Sequence, residues 1–347
     1  MKRKLILCLL LSVVFLSFFG CDDESNWRNH SEMHFGKNTE ITGTPIMTLE
    51  NTIVSFDFND INVYEYTKEG EDYSFKHTEY NDYPYYSFYP IKFEKLDDKY
   101  IFFGTLSQYV EGQHIYYAAV LFLNLDYTCI NYKVIDNGTV LSVNYKDNHY
   151  YFLYQYEGGY SLTKTNNNYE IVLEKEFESA TLHKTKNIYF INDYVAVELE
   201  GDRIIIYDEN FEEVLVIKGG MIFLEANEQD NTFSCLTKKY KKRTLTIFYR
   251  TYNINGEILE EKNLGQFKGI FGNPIYYKQK DKLYFFEIAG LDQIGISKTL
   301  VLAVFDLNDF SHKKYFMNWH STLPQQCLFI DNKIIFCDGT CEELILS

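Results

Sequence analysis

Proline is scarce in this 347-residue sequence, with 5 in all, and tryptophan is scarcer, with 2. So few prolines exclude Pro-rich spacers and leave the turns to Gly, Asn and Asp. Basic residues are outnumbered, 33 Lys and Arg against 49 Asp and Glu, for a formal charge of −16. A field of that sign repels phosphate backbones, so nucleic acid is not an expected partner. The basic cluster Lys238-Lys239-Tyr240-Lys241-Lys242-Arg243 is the exception, and between two apolar strands it reads as a solvated hairpin loop. After the first 20 residues no segment repeats apolar residues at helical spacing, which excludes a helical core. Phosphate-binding glycine loops, HExxH, GxSxG and EF-hand loops are all missing. Asp57, Asn59 and Asp60 imitate the start of a calcium loop without its glycine or terminal Glu, and His30 and His34 have ligand spacing without a helix to present them. Neither a metal nor a cofactor is expected.

Aromatic residues are what the chain has in abundance: 18%, with 31 Tyr and 28 Phe. Rings suit half-buried pleated surfaces, so this bias points to strands, although a sugar-binding surface is a second use for them. The strands come in a repeating unit. An acidic or amide-bearing turn precedes a run of β-formers at Asp98 (KYIFF), Asp147 (HYYFLY), Asp193 (YVAVEL), Asp281 (LYFFEI) and Asp331 (IIF), and more faintly at Asn51 and Asp230. The steps between these markers are 47, 49, 46, 37, 51 and 50 residues. A strand-only repeat of that length is the signature of propeller blades.

The expected fold is therefore all-β: a β-propeller of four-stranded antiparallel blades, seven in number, with six as the alternative and a β-sandwich as the structural rival. Blade two has unusually long strands, Tyr100–Val110 and His114–Leu125, around Glu111-Gly112. Asn255-Gly256 marks a tight hairpin in blade five. The last blade is one strand short, and a segment around Met33 to Ile41 is placed to complete it and hide the ring's open edges. The domain then spans 43–347, preceded by a leader over 1–20 and a polar tether over 21–42.

In the leader, Lys2-Arg3-Lys4 precede an apolar run from Leu5 to Phe19, 15 residues long, ending at Gly20-Cys21. That length suits a secretory signal and falls short of the roughly 20 residues of a bilayer-spanning helix. A glycine before a cysteine resembles the lipobox of bacterial lipoproteins, which implies lipidation at Cys21 and attachment to the membrane through an N-terminal lipid. Asp22-Asp23-Glu24 behind it resembles the surface-export signal of lipoproteins from Bacteroidetes-type bacteria. Leader and repeat period together resemble the β-propeller lipoproteins of such bacteria. The resemblance implies a cell-envelope address on the outer membrane, on either its periplasmic or its surface side.

Marker turns join strands one and two, so the longer connections fall on the opposite face. They are Tyr80–Tyr86, Leu106–His114, Gly265–Pro274, Ala289–Ser297 and Trp319–Gln325. On them Tyr85, Tyr109, His114, Phe271, Trp319 and His320 are the candidate ligand-binding residues, a set of rings with few polar groups that suits a glycan or an extended peptide. Cys337 and Cys341 flank a turn and are candidates for a disulfide, with Cys327–Cys337 as the alternative pairing. No residue pair identifies itself as catalytic. The sequence supports a ligand- or protein-binding or scaffolding module at the envelope, whose partner is a glycan, a peptide or an envelope protein. The competing reading is a polysaccharide lyase or glycoside hydrolase on the same fold.

Overall fold

Asp and Asn tolerate left-handed backbone better than other side-chain-bearing residues, and the marker turns use that freedom. φ is 49° at Asp147, 61° at Asn148, 48° at Asn192 and 52° at Asn231. Each such turn folds strand one of a repeat onto strand two. A computed structural model describes residues 33–35, 44–49, 52–57, 60–69, 72–80, 87–157, 159–178, 187–199, 203–241, 244–268, 275–289, 298–319, 326–330, 333–337 and 341–346.

These residues hold 28 strands in seven four-stranded antiparallel sheets. After β1 (Met33–Phe35), blade one comprises β2 (Thr44–Leu49), β3 (Thr52–Asp57), β4 (Asp60–Glu69) and β5 (Asp72–Tyr80). Blade two is β6 (Ser87–Lys95), β7 (Lys99–Val110), β8 (Gln113–Asn124) and β9 (Cys129–Asn137). Blade three is β10 (Thr139–Lys146), β11 (His149–Tyr156), β12 (Gly159–Thr165) and β13 (Ile171–Glu178). Blade four is β14 (Ile188–Ile191), β15 (Tyr194–Leu199), β16 (Arg203–Tyr207) and β17 (Glu213–Lys218). Blade five is β18 (Gly220–Asn227), β19 (Thr232–Lys241), β20 (Thr244–Asn253) and β21 (Ile258–Lys268). Blade six is β22 (Ile275–Gln279), β23 (Lys282–Ala289), β24 (Lys298–Asp306) and β25 (His312–Trp319), and blade seven uses β26 (Gln326–Ile330), β27 (Lys333–Cys337) and β28 (Cys341–Leu346).

The fold is a seven-bladed β-propeller. Blade seven takes its outer strand from the start of the chain: β1 pairs antiparallel with β28, Met33 opposite Leu346 and Phe35 opposite Leu344. Strand β1 lies inside the stretch 21–42 that reads as a tether. The inner strands β6, β10, β14 and β18 follow one another in contact, and β2 touches both β6 and β26, which closes the ring.

The core is divided among the blade interfaces, and this explains the unbroken apolar runs after each marker. Strand two is covered on both faces, so its side chains alternate between neighbours instead of between core and water. In β7, Tyr100 and Phe102 join Val54 and Val63 of blade one, while Ile101 and Phe103 join Phe152 of blade three. In β11, Phe152 and Tyr154 face blade two, whereas Tyr151 and Leu153 meet Val195 and Ile205 of blade four.

A second repeat lies in the turns between strands three and four. In the sequences Asn166-Asn-Asn-Tyr169 and Asp208-Glu-Asn-Phe211, the first side chain accepts from the amides two and four residues on. The fourth residue is an aromatic in left-handed backbone, φ 60° at both Tyr169 and Phe211, with Tyr127 (64°) and Phe310 (60°) in the same place. A left-handed aromatic is unusual, and packing holds it. Tyr169 packs on Phe103 and Phe122 of the preceding blade, Phe211 on Tyr151, and Phe310 on Tyr249. Blade five has Gly256 instead (φ 85°), and a Cβ there would meet Leu215 Cδ1 of blade four at 2.7 Å. Among the described turns the ring is the plug in four blades; in blade five a neighbouring leucine fills the space.

Three sequence expectations differ from the fold. Lys238 to Lys241 lie on β19 and not in a loop, and Lys238 is buried, because β19 and β20 pair down to Lys241 opposite Thr244. Leu106–His114 is a tight hairpin and not a long connection, since β7 runs to Val110 and β8 starts at Gln113. Residues 265–268 belong to β21. The inner strand β6 was absent from the strands read in sequence. Pro90 interrupts its pattern, and a register shift between Pro90 and Lys92 lets it sit against Gly104, where any Cβ would lie 2.2 Å from the Tyr89 carbonyl.

Candidate functional site

The hairpin of blade two is the longest in the ring among the described residues. Strands β7 and β11 both leave from marker turns, yet β7 has 12 residues and β11 has 8. The difference carries the hairpin roughly 13 Å further at about 3.3 Å per residue. Direct pairing of Ser107 with Tyr116 and of Tyr109 with His114 puts these four on one face. It is the face whose lower part packs against blade three. The Tyr109 and His114 rings meet edge-on at 5.1 Å, and His114 stacks with Tyr116 at 6.3 Å. Ser107, buried, shares a hydrogen bond of 3.2 Å with His114 Nδ1 and so fixes the imidazole. Tyr109 remains 55% exposed and Tyr116 44%. The sequence singled out Tyr109 and His114, and the fold brings them together. It missed Tyr116, which period-two alternation from His114 would have found.

Below this face the seam between blades two and three holds a polar network. Tyr154 Oη lies 2.9 Å from Asp136 Oδ2 and 2.7 Å from Glu174 Oε1. Its single hydrogen serves one carboxylate at a time, and Ser161 Oγ donates to Glu174 as well. Burial holds the Tyr154 phenol well above the ordinary tyrosine range, so the group is a fixed donor tying the blades together.

The axis of the ring is open among the described residues. A cavity of about 700 Å³ is lined by inner-strand residues of blades two to six, including Lys92, Asn144, Asn187, Tyr189, Phe223 and Lys278, with Lys280 at its edge. Its neutral polar groups make hydrogen bonds between blades three and four and within blade four. Ser142 Oγ accepts from Ile188 N, and Asn144 Nδ2 donates to Ile188 O. Asn187 Nδ2 and Tyr189 Oη both donate to Glu198 Oε2, at 3.1 and 3.2 Å.

Glu198 sits behind this wall on β15, 3% exposed, and its Oε1 accepts from Phe223 N of blade five at 2.9 Å. Burial pushes its carboxyl up to about 7 against the pull of those three donors. Thr105 does the same linking job between blades two and three, accepting from Val140 N at 2.9 Å without a charge. An acid in the otherwise apolar run YVAVEL was a visible signal for Glu198. The buried Cys235 thiol is pushed up to about 12 by desolvation, which makes it inert as a nucleophile.

Of the other residues named from sequence, Trp319 is the last of β25 and pairs with Lys298. Cys337 stands directly opposite Cys341 across the β27–β28 hairpin, while Cys327 stands opposite Phe336. Cys21, Tyr85, Phe271 and His320 lie outside the described residues, as do His30, Asn59 and the loop segments 81–86, 269–274, 290–297 and 320–325.

No family model matches the chain, and no curated protein matches it. Solved structures resemble it at low identity. The WD40 domain of SCAP from fission yeast is 11% identical, with a TM-score of 0.42 over 85% of this chain and 81% of that one. BamB from Moraxella catarrhalis is 10% identical, with a TM-score of 0.40 over 90% and 98%. An uncharacterized protein of Listeria monocytogenes EGD-e is 11% identical, with a TM-score of 0.47 over 86% and 90%. At these values the likeness is one of fold alone.

Proposed function

We propose that the protein is an exported β-propeller, anchored to the cell envelope by a lipid on Cys21, that binds a protein or peptide through the projecting hairpin of blade two. The single observation that carries the binding reading is the exposed ring cluster of Tyr109, His114 and Tyr116. Tyrosines are enriched at protein interfaces, where they bury large area at small entropic cost. A hairpin that projects beyond its neighbours and leaves two tyrosines half-exposed has extra residues that the ring does not need for its own packing. The envelope address rests on Lys2-Arg3-Lys4, the apolar run Leu5–Phe19 and Gly20-Cys21, with the outer membrane as the bilayer that the acidic run after Cys21 favours.

Two experiments test the reading. Changing Cys21 to Ser moves the protein from the membrane fraction to the soluble fraction if the anchor is correct, and leaves it membrane-bound if it is not. Peptide and glycan arrays probed with the full chain and with the Tyr109→Ala/Tyr116→Ala variant give peptide signals lost in the variant. Signals that survive both substitutions place recognition elsewhere on the ring. Turnover of an arrayed glycan establishes the enzyme alternative instead.

A further inference from the structure

We infer that the axial channel is a second binding site, for a small organic molecule carrying two or more anionic groups. This site is separate from the blade-two hairpin and does not depend on the protein-binding reading. Acids outnumber bases 49 to 33 in the whole chain. Yet Lys92, Lys278 and Lys280 line the channel and no described lining residue is an acid; Glu94 beside Lys92 lies outside that lining, as do Glu225 and Asp281, which share an adjoining cavity with Lys278 and Lys280. Such a wall runs against the composition, and a concave, partly apolar wall focuses the field of its charges into the cavity.

The chemistry of the wall selects the class of ligand. The neutral polar groups carry no charge and are each partly spent: Ser142 accepts from Ile188 N, Asn144 donates to Ile188 O, and Asn187 and Tyr189 donate to Glu198. Ammonium groups retain capacity. Lys278 Nζ donates to the Leu224 carbonyl with one of its three hydrogens. Lys280 stands in left-handed backbone at the rim, φ 52°, where it also feels Asp281. Lys92 is partly offset by Glu94 at 3.3 Å, so Lys278 and Lys280 are the principal contacts. Between the cations, Ile91, Leu141, Val143 and Leu224 give apolar surface for a carbon skeleton. A volume of about 700 Å³ is within the usual range for small-molecule sites.

The test is calorimetric titration of the full chain in low-salt buffer with three probes: pyrophosphate, citrate and a neutral disaccharide. Saturable binding of pyrophosphate or citrate, and not of the disaccharide, is expected; which anion binds tighter separates a phosphorylated ligand from a polycarboxylate. Lys278→Met and Lys280→Met each weaken that binding by about tenfold or more, the loss expected when one charged hydrogen bond is removed. Lys239→Met changes the net charge equally at an exposed site on β19 and leaves affinity within about twofold. Circular dichroism and thermal midpoints show that each variant is folded. Absence of saturable anion binding overturns the inference, as do equal losses in Lys239→Met or preference for the disaccharide.

Discussion

Replacing Glu198 by Gln is expected to stabilise the protein at alkaline pH and to leave it nearly unchanged in acid. In the unfolded chain this carboxyl titrates near its ordinary value of 4.5, and in the folded ring at about 7. Below 4.5 both states hold the proton and the group costs nothing. Between 4.5 and 7 the unfolded chain ionises first, so the folded state loses stability progressively as pH rises, and above 7 the full cost is present. At about 1.4 kcal/mol per pH unit of displacement, the cost is about 3 kcal/mol. Glutamine removes the charge: its carbonyl accepts from Phe223 N and its amide donates to the Tyr189 hydroxyl, while the Asn187 amide must turn to offer Oδ1 in place of Nδ2. Urea denaturation of both proteins across pH 4 to 8, followed by circular dichroism, gives the difference in unfolding free energy, in which the other titrating groups cancel. That difference should be near zero at the acid end and grow to about 3 kcal/mol in favour of Glu198→Gln. A difference independent of pH, or a variant less stable than the parent at pH 8, refutes the account of this carboxylate.

At equivalent turn positions, removing a plug and adding a Cβ are both expected to cost stability. Phe211→Ala empties a site that is 1% exposed and should cost roughly 3–5 kcal/mol in denaturant unfolding. Gly256→Ala puts a Cβ into left-handed backbone against Leu215 and should cost about 1–2 kcal/mol; a neutral result would mean that blade five does not need the glycine. Thr237 Oγ1 is buried on β19 with no hydrogen-bond partner among the described residues. Thr237→Val should therefore raise the unfolding free energy by about 1 kcal/mol, with the thermal midpoint moving up.

Blade periodicity was legible in the sequence because strand two is covered on both sides. Runs such as YIFF and HYYFLY have no alternation, and a short acidic turn precedes each. Closure by the segment containing Met33 was legible from the missing strand of blade seven. Strand β6 was not, because Pro90 breaks its pattern and only the close approach to Gly104 restores the pairing. The plug motif was hidden for a different reason: an aromatic in left-handed backbone contradicts local preference and is stable only once the preceding blade covers it. Lys238 read as loop because basic runs are usually solvated, whereas a long aliphatic stem lets a lysine follow a strand into a partly buried place.

Legibility of the candidate sites followed the same division. Tyr109 and His114 were recognisable as rings near a turn, but their pairing across β7 and β8 depends on register. The channel lysines come from β6, from β22 and from the turn after it, nearly 190 residues apart at the extremes, and only ring closure brings them to one wall. Glu198 was recognisable as an acid in an apolar strand, and its partners from β14 and β18 were not.

The binding claim is tested most directly by placing a photo-crosslinking amino acid at position 109 or 116 of the full-length chain in the cells that make it. Position 259 serves as the control, since Leu259 is 57% exposed on the outer edge of blade five, away from the hairpin. The account predicts a discrete crosslinked protein from 109 and 116 and none from 259. Equal labelling from all three positions, or no product from the two hairpin positions, contradicts it.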